Sequence, residues 1–148
     1  MNTNENLKAS GSLRVVVTDT TTGQVKEDRE FKNLVVTVGK NFVASRIVGV
    51  AQNVMSHMAL GTSSTAAAAG DTALGAELAR NALASGTATN AIVTYTATFA
   101  AGTATGAIVE AGIFNAASAG TLLCRTVFSV VNKGANDAMS VTWTVTIS

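Results

Sequence analysis

Hydrophobic and polar residues alternate strictly at the end of the chain. In residues 139–148 every odd position is apolar and every even position is Ser or Thr. A period of two puts alternate side chains on opposite faces of a β-strand. This segment is therefore predicted to be a strand that buries Val141, Trp143 and Val145. Residues 91–99 follow the same pattern, with apolar odd positions and Thr at even positions from 94 onward.

Other apolar runs rich in β-branched residues predict further strands, separated by turn-forming residues. They are residues 13–18, 54–60, 107–114 and 121–131. The charged residues 24–32 are predicted to form the second strand of a hairpin with 13–18, as a solvated edge. Short strands at this spacing, without long helices between them, favour a mainly β fold. We therefore predict an antiparallel β-sandwich or jelly-roll-like domain.

Two segments have helical spacing instead. Residues 39–50 place Phe42, Val43, Ile47 and Val50 on one side of a helix of about three turns. Residues 71–80 predict a second short helix in which Asp71 is the N-cap. Gly75 weakens this second helix by up to ~1 kcal/mol relative to Ala.

The chain is predicted to form one domain preceded by an arm. Residues 1–12 are polar and lack both an apolar signal stretch and obvious anchors, which indicates a flexible N-terminal arm. Residues 13–148 form the domain, with a hairpin and helix in 13–50 and a β core in 54–148. No run approaches the ~18 apolar residues of a membrane span, so a membrane is not an expected partner.

Composition narrows the class of protein. Charged residues make up 13% of the chain and the net charge is +1, which argues against a dedicated nucleic-acid binder. A 47% apolar fraction argues against intrinsic disorder. The chain has 26 Ala, 21 Thr and no proline, and the abundance of Thr again favours strands.

The residues that usually carry chemistry are scarce. His57 is the only histidine and Cys124 the only cysteine, and no nearby residues complete a catalytic triad or a metal-ligand set. Both are expected to be structural: His57 within a strand, Cys124 as a small buried apolar residue. We therefore expect a protein that is not an enzyme, with no catalytic residue, cofactor or metal.

One group of charges interrupts the apolar C-terminal region. Glu77, Arg80, Glu110 and Arg125 are four of only seven charged residues after position 46. Glu110 and Arg125 each lie inside an apolar run, where a charge must be paired or reach solvent. We predict a structural ion pair between Glu110 and either Arg80 or Arg125; an anion- or sugar-binding pair is the alternative.

Several short segments around these positions form a recognisable pattern: MALGT (58–62), DTAL (71–74), ELAR (77–80), EAGIFN (110–115), GTLL (120–123), RTVF (125–128) and SVTWTVTI (140–147). In these segments the sequence resembles the small structural proteins of tailed bacteriophages. The resemblance covers about residues 55–148, and the N-terminal third of the chain carries no such signature.

This resemblance implies a virion protein, synthesised in the bacterial cytoplasm. The leading expectation is a capsid decoration or cement protein that bridges major capsid protein subunits as a homotrimer or dimer. A tail or baseplate appendage, such as a fibre-attachment or adaptor protein, is the second. A carbohydrate-binding module is the third. It would require exposed aromatic residues lining a groove, whereas Tyr95 and Trp143 lie on the strand faces predicted to be buried.

Overall fold

The computed structural model describes residues 6–148, and in that range it contains nine strands and one helix. The elements in chain order are β1 (Ala9–Asp19), β2 (Val25–Val35), α1 (Thr37–Ile47), β3 (His57–Gly61), β4 (Glu77–Ala82), β5 (Ser85–Thr89), β6 (Ile92–Phe99), β7 (Gly106–Phe114), β8 (Leu122–Lys133) and β9 (Asp137–Ile147). The prediction of a mainly β, antiparallel fold is confirmed.

The strands form one curled sheet in the order β4-β3-β7-β8-β2-β1-β9-β6-β5. The two outer strands, β4 and β5, follow each other in the chain, so the sheet must curl to bring its ends together. At this closure the side chain of Asn81 on β4 donates from Nδ2 to Thr98 O of β6 (2.9 Å). Ala84, in the link between β4 and β5, donates from its backbone N to Thr96 O of β6 (2.8 Å). The faces turned inward enclose the main core.

The sheet folds over at a narrow junction between β2 and β8. Only Leu34 and Val35 pair with β8 there, opposite Arg125 and Cys124. Towards the start of β2 the two strands are linked by side chains, including the stacked rings of Phe31 and Phe128, whose centroids are 4.6 Å apart. The long β1–β2 hairpin thus closes one side of the core.

Strand β9, between β1 and β6, buries one face, as its alternation predicts. Val141, Trp143 and Val145 are at most 4% exposed. Trp143 lies opposite Leu13 of β1 and Tyr95 of β6. Burial raises the pKa of the Tyr95 hydroxyl to about 12, since the phenolate would be poorly solvated there.

Helix α1 covers Thr37–Ile47, close to the predicted 39–50. It packs closely on β8 at Gly39, where a Cβ atom would overlap the carbonyl group of Leu123. After the helix, Gly49 adopts φ +71°, a left-handed conformation that glycine reaches without strain and that commonly ends helices. Of the apolar residues predicted to share one side of this helix, Phe42 and Val43 pack on the core, whereas Ile47 and Val50 are 75% and 46% exposed.

The second predicted helix, residues 71–80, is wrong. Residues 71–76 belong to a loop, and Glu77 onward pairs with β3 as strand β4. Local propensity was weak there because of Gly75, and tertiary hydrogen bonds to the loop backbone override it. Strand β5 was not predicted, since its sequence, Ser-Gly-Thr-Ala-Thr, has no large apolar residue.

Two predicted boundaries also change. Strand β3 begins at His57, whereas residues 54–60 were predicted. The predicted arm, residues 1–12, overlaps β1, because Ala9 to Ser12 pair with β9 through the register Ala9↔Ile147 to Ser12↔Thr144. Residues 1–5 of that arm lie outside the described residues.

Candidate functional site

Glu110 lies on the outer face of β7, yet it is completely buried. Residues 62–76, which connect β3 to β4 and are called here the covering loop, lie over it. The Glu110 carboxylate accepts hydrogen bonds from the backbone N–H groups of Ser63, Gly75 and Ala76, each at 2.8 Å. Both ends of the covering loop are therefore fixed to one side chain.

Arg125 on the neighbouring strand β8 completes this arrangement and is only 2% exposed. Its Nη2 lies 3.1 Å from Glu110 Oε1, and its Nε donates to the same oxygen at 3.2 Å. Its Nη1 donates to Asp71 Oδ2 at 2.8 Å, and its Nη2 to the Thr65 carbonyl oxygen at 2.9 Å. Arg125 thereby holds the middle of the covering loop as Glu110 holds its ends.

Glycines allow the loop to approach the carboxylate. A Cβ atom at Gly61 would lie 2.7 Å from Glu110 Oε2. One at Gly112 would lie 2.9 Å from side-chain atoms of both Leu74 and Leu122. Leu74, which the sequence placed on a helix, instead packs in a small apolar cluster beneath the loop. That cluster contains Val36, Ala59, Leu74, Phe114 and Leu122.

Arg80 does not reach Glu110. It pairs with Glu77 at 2.6 Å and its guanidinium lies over the Phe114 ring, 3.7 Å from the centroid. It also donates to the carbonyl oxygens of Ala116 and Ala119 in the turn between β7 and β8. Of the two partners predicted for Glu110, Arg125 contacts it, whereas Arg80 binds the backbone of the turn between β7 and β8.

The Glu110 carboxylate has no free acceptor for a substrate. Glu110 Oε1 receives Gly75 N and Arg125, and Oε2 receives Ser63 N and Ala76 N. A carboxylate with every lone pair engaged and no solvent contact cannot act as a general base without first losing these bonds. The arrangement therefore supports a structural anchor for the covering loop.

Asp71 was predicted as a helix N-cap and instead joins this cluster. Its carboxylate accepts the backbone N–H of Ala68 at 2.9 Å as well as the Arg125 guanidinium. The hydrogen bond from Ala68 and the contact with Arg125 together hold the pKa of the Asp71 carboxyl below its ordinary value, against the opposing effect of burial.

The lowered pKa of Asp71 predicts a pH-dependent stability. In the unfolded chain this carboxyl takes up its proton at about pH 3.9, before it does so in the folded protein. Its stabilising contribution is thus complete above that pH and is lost as pH falls towards the folded pKa. Thermal unfolding followed between pH 7 and pH 2.5 should show Asp71→Asn less stable than wild type at pH 7, with the difference shrinking below about pH 4. A constant difference across this range would contradict the assignment.

The other two candidate residues, His57 and Cys124, lie in surroundings that suit a structural role. Ser56 Oγ lies 2.8 Å from His57 Nδ1, and among the described residues no carboxylate pairs with this histidine. Cys124 is completely buried, and burial raises the pKa of its thiol, which keeps it in the unreactive protonated form. Within residues 6–148 no group of three or more His, Cys, Asp or Glu side chains is arranged to hold a metal ion.

The sequence did not reveal the backbone donors of Ser63, Gly75 and Ala76. Ser63 lies in the low-complexity stretch 62–70, and Gly75 and Ala76 follow that stretch. The one available signal was the pair of glycines, Gly61 and Gly75, at the two ends of the covering loop.

No helix in the described part of the chain is long and apolar enough to span a membrane. A comparison of the chain with known protein families, curated proteins and solved structures gives no match, so its function has to be argued from its own residues.

Proposed function

We propose that this chain is a non-enzymatic structural protein of a bacteriophage virion that decorates the capsid and bridges neighbouring major capsid protein subunits. Two features support this function. The segments that resemble virion proteins include the residues that anchor the covering loop: Gly61, Asp71, Leu74, Glu110 and Arg125. The outer face of the sheet, described next, suits extended protein contacts.

The observation that carries the proposal is an uncharged face on β5, β6 and β9. Rows of cross-strand neighbours carry exposed or half-buried hydroxyl groups there, for example Ser85–Thr96–Thr142 and Thr87–Thr94–Thr144. No charged residue occurs between positions 81 and 109 or after Asp137. We call this surface the hydroxyl face. Its members are Ser85, Thr87, Thr89, Thr94, Thr96, Thr98, Ser140, Thr142, Thr144 and Thr146.

Such a face can be covered by another protein at little electrostatic cost. None of its ten residues is charged, so covering them desolvates no charge of their own, and desolvating a charge is the expensive step for most surfaces. Each hydroxyl both donates and accepts, so it can pair directly or through water with a partner's polar groups. The cores of protein interfaces are depleted in charged residues in the same way.

Bridging subunits would then strengthen a shell without any reaction. A protein that binds assembled subunits and not dissociated ones stabilises the assembly by mass action. As a homotrimer or dimer it would also gain avidity, since each further contact forms at high effective concentration.

Of the two alternative functions, the structure argues against the carbohydrate-binding module but does not separate the tail appendage from the capsid protein. A tail or baseplate appendage would use the same neutral face, and particle location separates it from the capsid assignment. A carbohydrate-binding module would need exposed aromatic rings, but Trp143 is completely buried and Tyr95 half-buried in the core. Sugar binding through these two residues is therefore disfavoured.

The test adds purified protein to particles that lack it and counts the bound copies by quantitative mass spectrometry. Wild type should bind in hundreds of copies, whereas Thr87→Lys combined with Thr142→Lys should bind about tenfold more weakly, because charges would be buried in the contact. The matched control is Ser129→Lys with Asn132→Lys, at exposed positions on β8. Equal binding by both double variants would exclude the hydroxyl face, and binding of only a few copies would favour the tail.

A further inference from the structure

A second surface, beside helix α1, has a different chemistry. Helix α1, the residues before β1 and the end of β9 border an open groove of about 390 Å³. Its apolar lining includes Leu7, Val43, Ala44, Ile47 and Ile147. We refer to it as the helix groove.

Large apolar side chains are unusually exposed here. Leu7 is 74% exposed and Ile47 is 75% exposed, and Val48 beside them reaches 79%. Single exposed apolar residues are common, but a cluster that borders a groove marks an interaction site in most soluble proteins. Helix α1 buries only Gly39 and Phe42, so its last turn is not needed by the core.

The groove is also positively charged. Lys8 and Lys40 both line it, and neither forms an ion pair within residues 6–148. Between positions 31 and 70 the sequence has three basic residues, Lys32, Lys40 and Arg46, and no acidic one. An occupant that complements this surface combines apolar side chains with a carboxylate.

We propose that the helix groove binds an apolar segment of another protein that carries at least one Asp or Glu beside its large side chains. The volume lies within the range of about 300–1,000 Å³ typical of sites that enclose a small ligand, enough for about two or three side chains. This inference rests on the proposed function, because the segment would belong to the virion protein to which this chain attaches. Hydrophobic burial supplies the affinity, and the two lysines select the acidic flank.

The probe is a library of short random peptides displayed on a carrier and selected on the purified wild-type protein. Selected peptides are expected to combine large apolar residues with Asp or Glu. Their binding, measured by fluorescence anisotropy, should weaken about tenfold with Lys40→Glu and be lost with Ile47→Asp. Both positions face solvent, and circular dichroism verifies that the variants remain folded.

The matched controls carry the same changes outside the groove. Lys32→Glu on β2 and Leu78→Asp on β4, where Leu78 is 44% exposed, should bind the selected peptides as wild type does. The proposal is overturned if no peptide is selected, if the peptides lack acidic residues, or if the groove variants bind normally. It is equally overturned if wild type is a dimer that Ile47→Asp converts to a monomer, because the occupant is then a second copy. These results leave the location in the particle untouched, so this inference and the proposed function fail separately.

Discussion

Replacing Glu110 with Ala should destabilise the protein by about 3–5 kcal/mol, the range seen when one partner of a buried ion pair is removed. Arg125 would lose its buried carboxylate, and the N–H groups of Ser63, Gly75 and Ala76 would lose their acceptor. For a domain of this size the melting temperature should fall by roughly 10 °C in thermal unfolding followed by circular dichroism.

The control is Glu30→Ala, which removes the same side chain from an exposed strand position on β2. Its effect should stay within about 0.5 kcal/mol, as for most surface substitutions. If Glu110→Ala and Glu30→Ala melt together, the carboxylate does not anchor the covering loop.

Replacing Trp143 with Ala should have a comparable effect, about 3–5 kcal/mol, because it removes the largest completely buried side chain from the centre of the core. Thr142→Ala, one position away on the opposite, exposed face, should change stability little. Native tryptophan fluorescence should be blue-shifted relative to the unfolded protein. A red-shifted native emission would mean that the indole is hydrated and that the two faces of β9 are reversed.

The strands were largely predictable because their period is visible in the sequence. Along most of β9 and β6, apolar residues turned inward alternate with Ser or Thr turned outward, and burial of one face fixes the register. Helix α1 was predicted from the spacing of its apolar residues, but the face that they define is not the one buried: Phe42 is buried, whereas Ile47 is 75% exposed. For β6 and β9 the local sequence alone was therefore enough to predict the strand and its buried face.

Elements that depend on distant partners were not predictable. Residues 71–76 have a weak helical pattern, but the N–H groups of Gly75 and Ala76 bind Glu110, which lies 34 to 35 positions later. Strand β5 has neither large apolar residues nor charge, and it is a strand because β6 pairs with it. Propensity is a weak prior that such tertiary contacts override.

The ion pair was predictable in part. A carboxylate and a guanidinium inside apolar runs must find partners, which indicated that Glu110 is paired. Whether Arg80 or Arg125 is the partner depends on which strands are neighbours, and β7 pairs directly with β8, placing Gly112 opposite Arg125. Arg80 lies on β4, one strand beyond β3, beside the turn that it stabilises.

Electron cryomicroscopy of the intact particle tests the proposed function most directly. We predict density that fits the nine-stranded fold on the outside of the shell, at positions that contact at least two neighbouring capsid subunits, with the hydroxyl face turned towards a protein surface. Density for this fold only on the tail, or a complete particle map without it, would contradict the assignment as a capsid decoration protein.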